Sequence, residues 1–384
     1  MIIYFVAAEP SGDKLASEVI EKIKSIAPKT TFLGVGGEHM LKQGVETLFD
    51  TRDLAVFGLL EGVKAYKTVK KRVEETAHDI LHKKPDAVVL VDSWGFMWRV
   101  AKRVKELGYN GPRIKLIGPQ VWATRAGRAK TLAAHVDHLL CIHDFEVPFY
   151  TPFGLETTVI GNPALDRCDV GDGIGFRRKH NFKDSTPLLL LLPGSRSSEI
   201  VTVAPILEQA AELFSVDVVE GKVICVAAGP VQQAIVERSK GWNFPHLIIT
   251  DENQKADAFA AANVALACSG TVTTEVALQG TPLVVGYKIG WISWVIARLF
   301  LMKSKFITLL NVSAGAEIIP EFIQTRFTSK KLAKAVLELF HNPNKQEAQI
   351  LNQNLALEEM GRGGRPSSEI AARKIVELVP TKKG

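Results

Sequence analysis

Two kinds of hydrophobic pattern alternate along the chain. Met1–Ala7 is a short apolar run, and the stretch after it repeats Leu15, Val19, Ile20, Ile23 and Ile26 at helical spacing. Thr31–Val35 reads as the next strand and ends in Gly36-Gly37. Asp86–Val91 follows Lys84-Pro85 and is continuously apolar from Ala87 on, the form of a parallel strand covered on both faces. Arg113–Ile117, His138–Ile142 and Thr157–Ile160 are further strands, with a basic helix over Trp98–Leu107. The pattern then restarts. Pro187–Leu192 is a strong strand, Ser197–Phe214 is helical, and strands follow at Lys222–Val226, Leu247–Ile249, Val264–Ala267 and Pro282–Gly286. Strands separated by crossover helices predict parallel sheets with helices on both faces. The expectation is an α/β chain of two Rossmann-like, doubly wound parallel-sheet domains. The polar stretch Asp166–Asp184 marks the boundary, giving domains over 1–165 and 166–364 and a terminal helical stretch over 365–384. Tandem domains of this kind bind ligands at the carboxyl ends of their strands, commonly in the cleft between them.

Length and composition agree with that reading. A chain of 384 residues is too long for one ordinary core, and 46% hydrophobic with 23% charged residues is globular. Four scattered cysteines without CxxC spacing point to thiols in a reducing compartment rather than to a disulfide framework or a metal site. No apolar run reaches the ~18–20 residues of a membrane span. The first residues lack the succession of a signal peptide, so a cytosolic protein is expected. Charge adds one feature. Between Phe96 and His135 nine Lys or Arg face one acid, Glu106, which exceeds the excess of the whole chain, +6. Such a patch suits phosphates on a small molecule or a lipid surface, or is a solvated helix face. No nucleic-acid module accompanies it, and no nucleic-acid partner is expected.

Chemistry-bearing residues gather at predicted strand ends. Pro193-Gly194-Ser195-Arg196 follows a strand and opens a helix, so backbone N–H groups and a guanidinium could meet a phosphate; Ser195, Ser197 and Glu199 could instead cap the helix. Ser269-Gly270-Thr271 repeats the arrangement, with Glu275 one turn into the next helix, where a carboxylate could accept ribose hydroxyls or serve the helix dipole. Glu9, Ser11, Gly12 and Asp13 follow the first strand without a GxGxxG fingerprint. Asp92 ends a buried strand, a position suited to a general base or to a helix cap. Gly118–Ala123 is an aromatic loop containing Trp122, with Arg125 and Arg128 just beyond. Gly290–Phe306 contains Trp291, Trp294, Leu299 and Met302 with flanking Arg and Lys; it is either a core helix or a lipid-contacting one. His135 and His138 find no convincing third ligand, and no metal is expected.

Read in order, these segments resemble the lipid-A-disaccharide synthase family. The likeness lies in AEPSGD at 8–13, VGGEHM at 35–40, LAVFGLLE at 54–61, KPDAVVLVD at 84–92, PQVWA at 119–123, LLPGSR at 191–196, SGTVTTE at 269–275 and LLNVSAGAEIIPEFIQ at 309–324. It covers nearly the whole chain. The resemblance implies a glycosyltransferase-B fold, no metal and no cofactor. The reaction it implies moves 2,3-diacylglucosamine from UDP-2,3-diacylglucosamine to 2,3-diacylglucosamine 1-phosphate (lipid X). A β-1′,6-linked disaccharide forms with inversion and UDP leaves. It also implies peripheral attachment to the cytoplasmic face of the inner membrane, through Trp291–Met302 and the basic stretch Arg99–Lys130; a homodimer is compatible with it.

By this resemblance Gly194, Ser195, Arg196, Ser269, Gly270, Thr271 and Glu275 bind UDP. Ser11, Gly12, Trp122, Arg125, Asn311 and Glu317 bind the acceptor or its lipid. The terminal helix at Ser367–Leu378 packs back on the first domain by analogy with the fold. Gly95 stands where the family often has a second Asp, so the base falls to Asp92, with Asp13 and Glu9 behind it. Asn162 and Ala316 replace the family's usual His and Arg, and His143-Asp144-Phe145-Glu146 replaces its Leu-Pro-Phe-Glu turn. Two other readings share the pattern: a UDP-N-acetylglucosamine 2-epimerase, and a non-catalytic UDP-sugar or lipid-binding protein.

Overall fold

A computed structural model describes residues 1–51, 62–167, 169–289 and 304–380. The segment at 54–61, Cys168 and the stretch Trp291–Met302 therefore lie outside the described residues. The chain divides into two compact units, one of residues 1–166 joined by the C-terminal stretch from 363, the other between 167 and 362.

The first unit holds a parallel six-stranded sheet: β1 (Ile2–Ala7), β2 (Thr31–Val35), β3 (Ala87–Val91), β4 (Arg113–Leu116), β5 (His138–Cys141) and β6 (Glu156–Val159), in the order β2-β1-β3-β4-β5-β6. Successive strand residues point to opposite faces. Val88 and Leu90 accordingly pack with Met97, Val100 and Val104 of the Trp94–Glu106 helix. Ala87, Val89 and Val91 pack with Leu15, Val19 and Ile23 of the Pro10–Ile26 helix. All five residues of β3 are buried, which requires helices on both sides. Ala371, Ala372 and Ile375 of the Ser367–Leu378 helix join the second of these layers. Ser367 anchors that helix by donating to Asp166 from its N–H at 2.8 Å and its hydroxyl at 2.6 Å.

The second unit repeats the architecture with β7 (Leu188–Leu192), β8 (Lys222–Val226), β9 (His246–Ile249), β10 (Val264–Cys268), β11 (Leu283–Tyr287) and β12 (Glu321–Ile323), in the order β12-β11-β10-β7-β8-β9, again all parallel. The run of five leucines in β7 is fully buried at the sheet centre. Strand β12 is too short and too close to Pro320 to show in the hydrophobic pattern; pairing with β11 defines it.

Two helices begin earlier than their periodicity suggests. The first starts at Pro10, whose fixed φ and missing N–H suit a first turn, so Ser11, Gly12 and Asp13 are helical rather than a loop. The basic helix starts at Trp94, not Trp98. Both shifts bring motif residues against the sheet.

Candidate functional site

In a doubly wound sheet the strand order reverses at one point, where the loops leaving two neighbouring strands diverge and leave room for a ligand. That point lies between β1 and β3 in the first sheet and between β7 and β10 in the second. The motif residues flank both.

In the first unit, Asp92 and Ser93 leave β3 with φ of 48° and 32°, and Ile117 leaves β4 with φ of 62°. Left-handed backbone at a β-branched residue is rare, and strain of this kind clusters at functional sites. It is held by pairing: Asp92 N–H donates to Leu116 O at 2.9 Å, and Ile117 N–H to Leu140 O at 2.9 Å. The Pro10–Ile26 helix abuts this turn; a Cβ on Gly12 would lie 3.7 Å from the Asp92 Cβ. Asp92 is half-buried, while Glu9 and Ser11 are exposed.

Asp13 has another occupation. Its buried carboxylate accepts from the N–H groups of Gly37 (2.7 Å), His39 (2.8 Å) and Met40 (3.1 Å). It caps the Glu38–Lys42 helix and ties it to the first helix, so it is an anchor rather than a proton acceptor.

Sequence reasoning counted Lys115 only as part of a basic patch. It is 1% exposed, in the middle of the sheet. Its ammonium donates to the carbonyl oxygens of Leu90, at 3.3 Å, and of Asp92. Burial pulls its pKa down to about 7, against the charges of Asp92 and Glu9. Arg113 is also buried and forks onto Asp137 at 2.7 and 2.9 Å. The basic patch is therefore smaller than the sequence suggests. Its outer part is aromatic as well: Trp94 and Trp98 stack at 6.2 Å, with Arg128 over Trp94 at 5.2 Å and Arg99 over Trp98 at 4.8 Å.

The exposed Arg125 (φ 52°) and half-buried Trp122 lie in the adjoining loop. Trp122 meets Phe145 edge-on at 5.3 Å, and Phe145 stacks on buried His143 at 4.8 Å. Burial pulls the His143 imidazole down to about 4. Beneath this stack, buried Glu146 accepts from the N–H groups of Ile142 (3.1 Å) and His143 (3.0 Å). Burial outweighs those bonds and raises its pKa to about 7. Tyr150 closes the loop by donating to Pro119 O at 3.0 Å.

In the second unit, Pro193–Arg196 leaves β7 beside Ser269–Thr271, which leaves the adjacent β10. Gly194 has φ of 122°, and a Cβ there would meet Glu199 at 2.6–2.7 Å. The buried Glu199 carboxylate accepts from Ser195 N–H at 2.8 Å and Arg196 N–H at 3.2 Å. These N–H groups are thus not free for a ligand, and the capping group is Glu199 rather than Ser195 or Ser197. What the turn offers outward is the Arg196 side chain, 72% exposed and 3.1 Å from Glu199. Burial raises the pKa of the Tyr287 phenol at the end of β11, against the nearby charge of Arg196.

Gly270 has open space on its Cβ side. Thr273 ties the turn by donating its hydroxyl to Gly270 O at 2.8 Å. Glu275 is ion-paired to Lys255 at 2.8 Å, a partner the motif did not reveal. Burial opposes the Lys255 charge, but Glu275 and Glu252 outweigh it and raise its pKa.

Asn311 and Glu317 belong to this second unit, whereas Ser11, Gly12, Trp122 and Arg125 belong to the first. Asn311 is fully buried: its amide donates to Ile319 O and Glu321 at 2.8 Å each and accepts from Ile318 and Ile319 N–H at 2.9 and 2.8 Å. Glu321, also buried, accepts in addition from Thr308 N–H at 2.8 Å and its hydroxyl at 2.7 Å. Glu317 accepts from Glu321 N–H at 3.2 Å. Asn311 has no hydrogen-bonding capacity left for a ligand; it ties the Leu309–Ala314 helix to residues 318, 319 and 321 at the start of β12.

Two parallel doubly wound sheets in one chain, with motif residues beside each strand-order reversal, form the two-domain glycosyltransferase-B fold. Solved structures show the same fold. A UDP-GlcNAc 2-epimerase from Neisseria meningitidis bound to UDP-GlcNAc aligns with TM-score 0.61 at 12% identity, covering 98% of this chain and 99% of that one. A glycosyltransferase from Rickettsia africae aligns with TM-score 0.57 at 11% identity, covering 98% and 97%. Sequence narrows the class. Residues 3–375 match the family model for lipid-A-disaccharide synthetase. Lipid-A-disaccharide synthases of Rhodospirillum centenum and Rickettsia prowazekii are each 34% identical, covering 99% and 98% of this chain and 95% and 98% of their own lengths. The chain belongs to the lipid-A-disaccharide synthase family, and it is a hexosyltransferase.

Proposed function

We propose that this enzyme transfers 2,3-diacylglucosamine from UDP-2,3-diacylglucosamine to the 6-hydroxyl of lipid X. The second unit binds UDP. Arg196 meets the diphosphate, the Ser269–Thr271 turn lets phosphate oxygens approach main chain, and Glu275, shared with Lys255, takes the ribose hydroxyls. Asp92 removes the proton of the acceptor hydroxyl as that oxygen attacks C1 of the donor sugar. The C1–O bond to UDP breaks with inversion, and Arg196 offsets the charge growing on the diphosphate. The observation that carries this reading is the placement of Asp92 and of Arg196 with Ser269–Thr271 at the strand-order reversals of their two sheets.

The lipid substrates imply work at a membrane surface. No helix among the described residues is long and apolar enough to cross a membrane. The Trp94–Trp98 surface with Arg99 and Arg128 has the composition of an interfacial contact to anionic lipid, and supports peripheral attachment on the cytoplasmic side. The decisive experiment incubates purified protein in detergent with both substrates and EDTA, and follows the tetraacyl disaccharide phosphate by mass spectrometry. Product appears if the reading is right. No disaccharide here but epimerisation of UDP-N-acetylglucosamine supplied in a parallel reaction, or UDP binding without turnover of either donor, refutes it.

A further inference from the structure

A lysine in the middle of a sheet is costly unless its charge is used. Lys115 stands on β4 with Leu90 of β3 and Leu139 of β5 as its register neighbours, both buried and apolar. Among the described residues it makes no salt bridge. Its ammonium is spent on two main-chain carbonyls, Leu90 at 3.3 Å and Asp92. The Asp92 carbonyl lies inside the strained segment, between residues with φ of 48° and 32°. The charged groups that face the ammonium are Asp92 and Glu9, from the end of β3 and the start of the Pro10–Ile26 helix. Its pKa, lowered by burial, shows that the site disfavours the charge it holds.

We propose that Lys115 is a positioning residue for the glycosyl transfer. Its ammonium clamps the left-handed turn at Asp92–Ser93 through the Asp92 carbonyl and so fixes where the Asp92 carboxylate points. Lys115 touches no substrate; it acts through Asp92. The inference rests on Asp92 being the base. Peptide geometry supplies the lever, because the carbonyl that Lys115 holds and the carboxylate it aims belong to one residue. Without the clamp the turn can relax toward ordinary backbone and swing the carboxylate away. A misplacement of about 1 Å costs on the order of 10²-fold in rate.

The test is a double-mutant cycle of Lys115→Met with Asp92→Asn in the full-length enzyme, reading kcat, acceptor KM, UDP affinity and thermal midpoint. Lys115→Met is expected to lower kcat about 10–10²-fold with KM and UDP affinity within about twofold of wild type. Its melting temperature should stay level or rise, because a buried charge has been replaced by an apolar chain of similar length. In the Asp92→Asn background the same change should cost nothing further, since no carboxylate remains to be aimed. An equal loss of kcat in both backgrounds, or wild-type kcat in Lys115→Met, overturns the proposal. Should Lys115→Met fail to fold, Lys115→Leu, which likewise has no donor, enters the same cycle with the same criteria. Wild-type turnover in Asp92→Asn alone removes Asp92 as the base and the proposal with it; failure of the cycle with Asp92→Asn still impaired removes only the role of Lys115.

Discussion

Two glycines at the second switch point separate folding from binding. Gly194 has φ of 122°, and a Cβ there would lie 2.6 Å from Glu199 Oε2 and 2.7 Å from its Cβ. In Gly194→Ala the backbone strain costs about 1–3 kcal/mol. Glu199 must also move, and its bonds to the N–H groups of Ser195 and Arg196 are charge-assisted, worth about 1.5–3 kcal/mol if one is lost. The sum, roughly 2.5–6 kcal/mol, should lower the melting temperature of the second unit by at least ~5 °C, at about 2–4 °C per kcal/mol. Gly270→Ala meets no atom within 4 Å. Its cost should stay below about 0.5 kcal/mol, a shift of ~2 °C or less. If a phosphate of UDP sits against that turn, the added methyl occupies its place, and UDP affinity should fall about tenfold or more. Differential scanning fluorimetry and isothermal titration with UDP measure both quantities. Wild-type melting of Gly194→Ala would refute the account of the Pro193–Arg196 turn. Wild-type UDP affinity in Gly270→Ala would move the diphosphate away from Ser269–Thr271.

Three further changes probe the remaining assignments. Arg196→Ala should weaken UDP about 10–10²-fold, the value of one charge-assisted contact, with little change in melting because the side chain is exposed; unchanged UDP affinity by titration calorimetry removes Arg196 from the site. Asn311→Ala leaves the N–H groups of Ile318 and Ile319 without their acceptor and should cost about 2–4 kcal/mol by urea denaturation; a raised acceptor KM at unchanged stability would restore it as a ligand. Glu146 has its pKa raised to about 7, above the ordinary 4.5, so the native state binds more protons than the unfolded one between those values. Its contribution is present in full below pH 4.5 and is lost as pH rises through 7, a span on the order of 3 kcal/mol. Glu146→Gln should flatten the fall in stability between pH 5 and 7.5; equal slopes in variant and wild type contradict this.

The architecture was legible because it rests on local signals. Runs such as Ala87–Val91 and Leu188–Leu192 have no polar face, so each must lie between two helical layers, and the 3.6-residue rhythm of Leu15, Val19, Ile20 and Ile23 supplies one. Glycines at strand ends located the loops. Lys115 was not legible, because in the string Arg-Ile-Lys-Leu a single lysine looks like the solvent face of a half-exposed strand. Its burial comes from β3 and β5, whose register with β4 no local pattern reports. Strand β12 escaped for a related reason, since three residues after a proline become a strand only beside β11.

The motifs also concealed a division of labour. Within AEPSGD and the turn after LLPGSR, one carboxylate is taken up by backbone N–H groups: Asp13 by residues 37, 39 and 40, and Glu199 by residues 195 and 196. A carboxylate committed to several main-chain N–H donors has its oxygens taken up by the loop itself. Its work is to hold the loop in shape. That leaves Asp92 at the first switch point and Arg196 at the second as groups whose main chain is fixed from behind while the side chain remains accessible. A short motif therefore mixes residues that form a turn with residues that the turn presents, and spacing alone assigns chemistry to both. The distinction is decided by partners distant in sequence, such as Gly37 for Asp13 and Lys115 for the Asp92 carbonyl, and it predicts different failures: loss of a holder such as Asp13 should lower stability first, and loss of a presented group such as Asp92 should lower turnover in a protein that still folds.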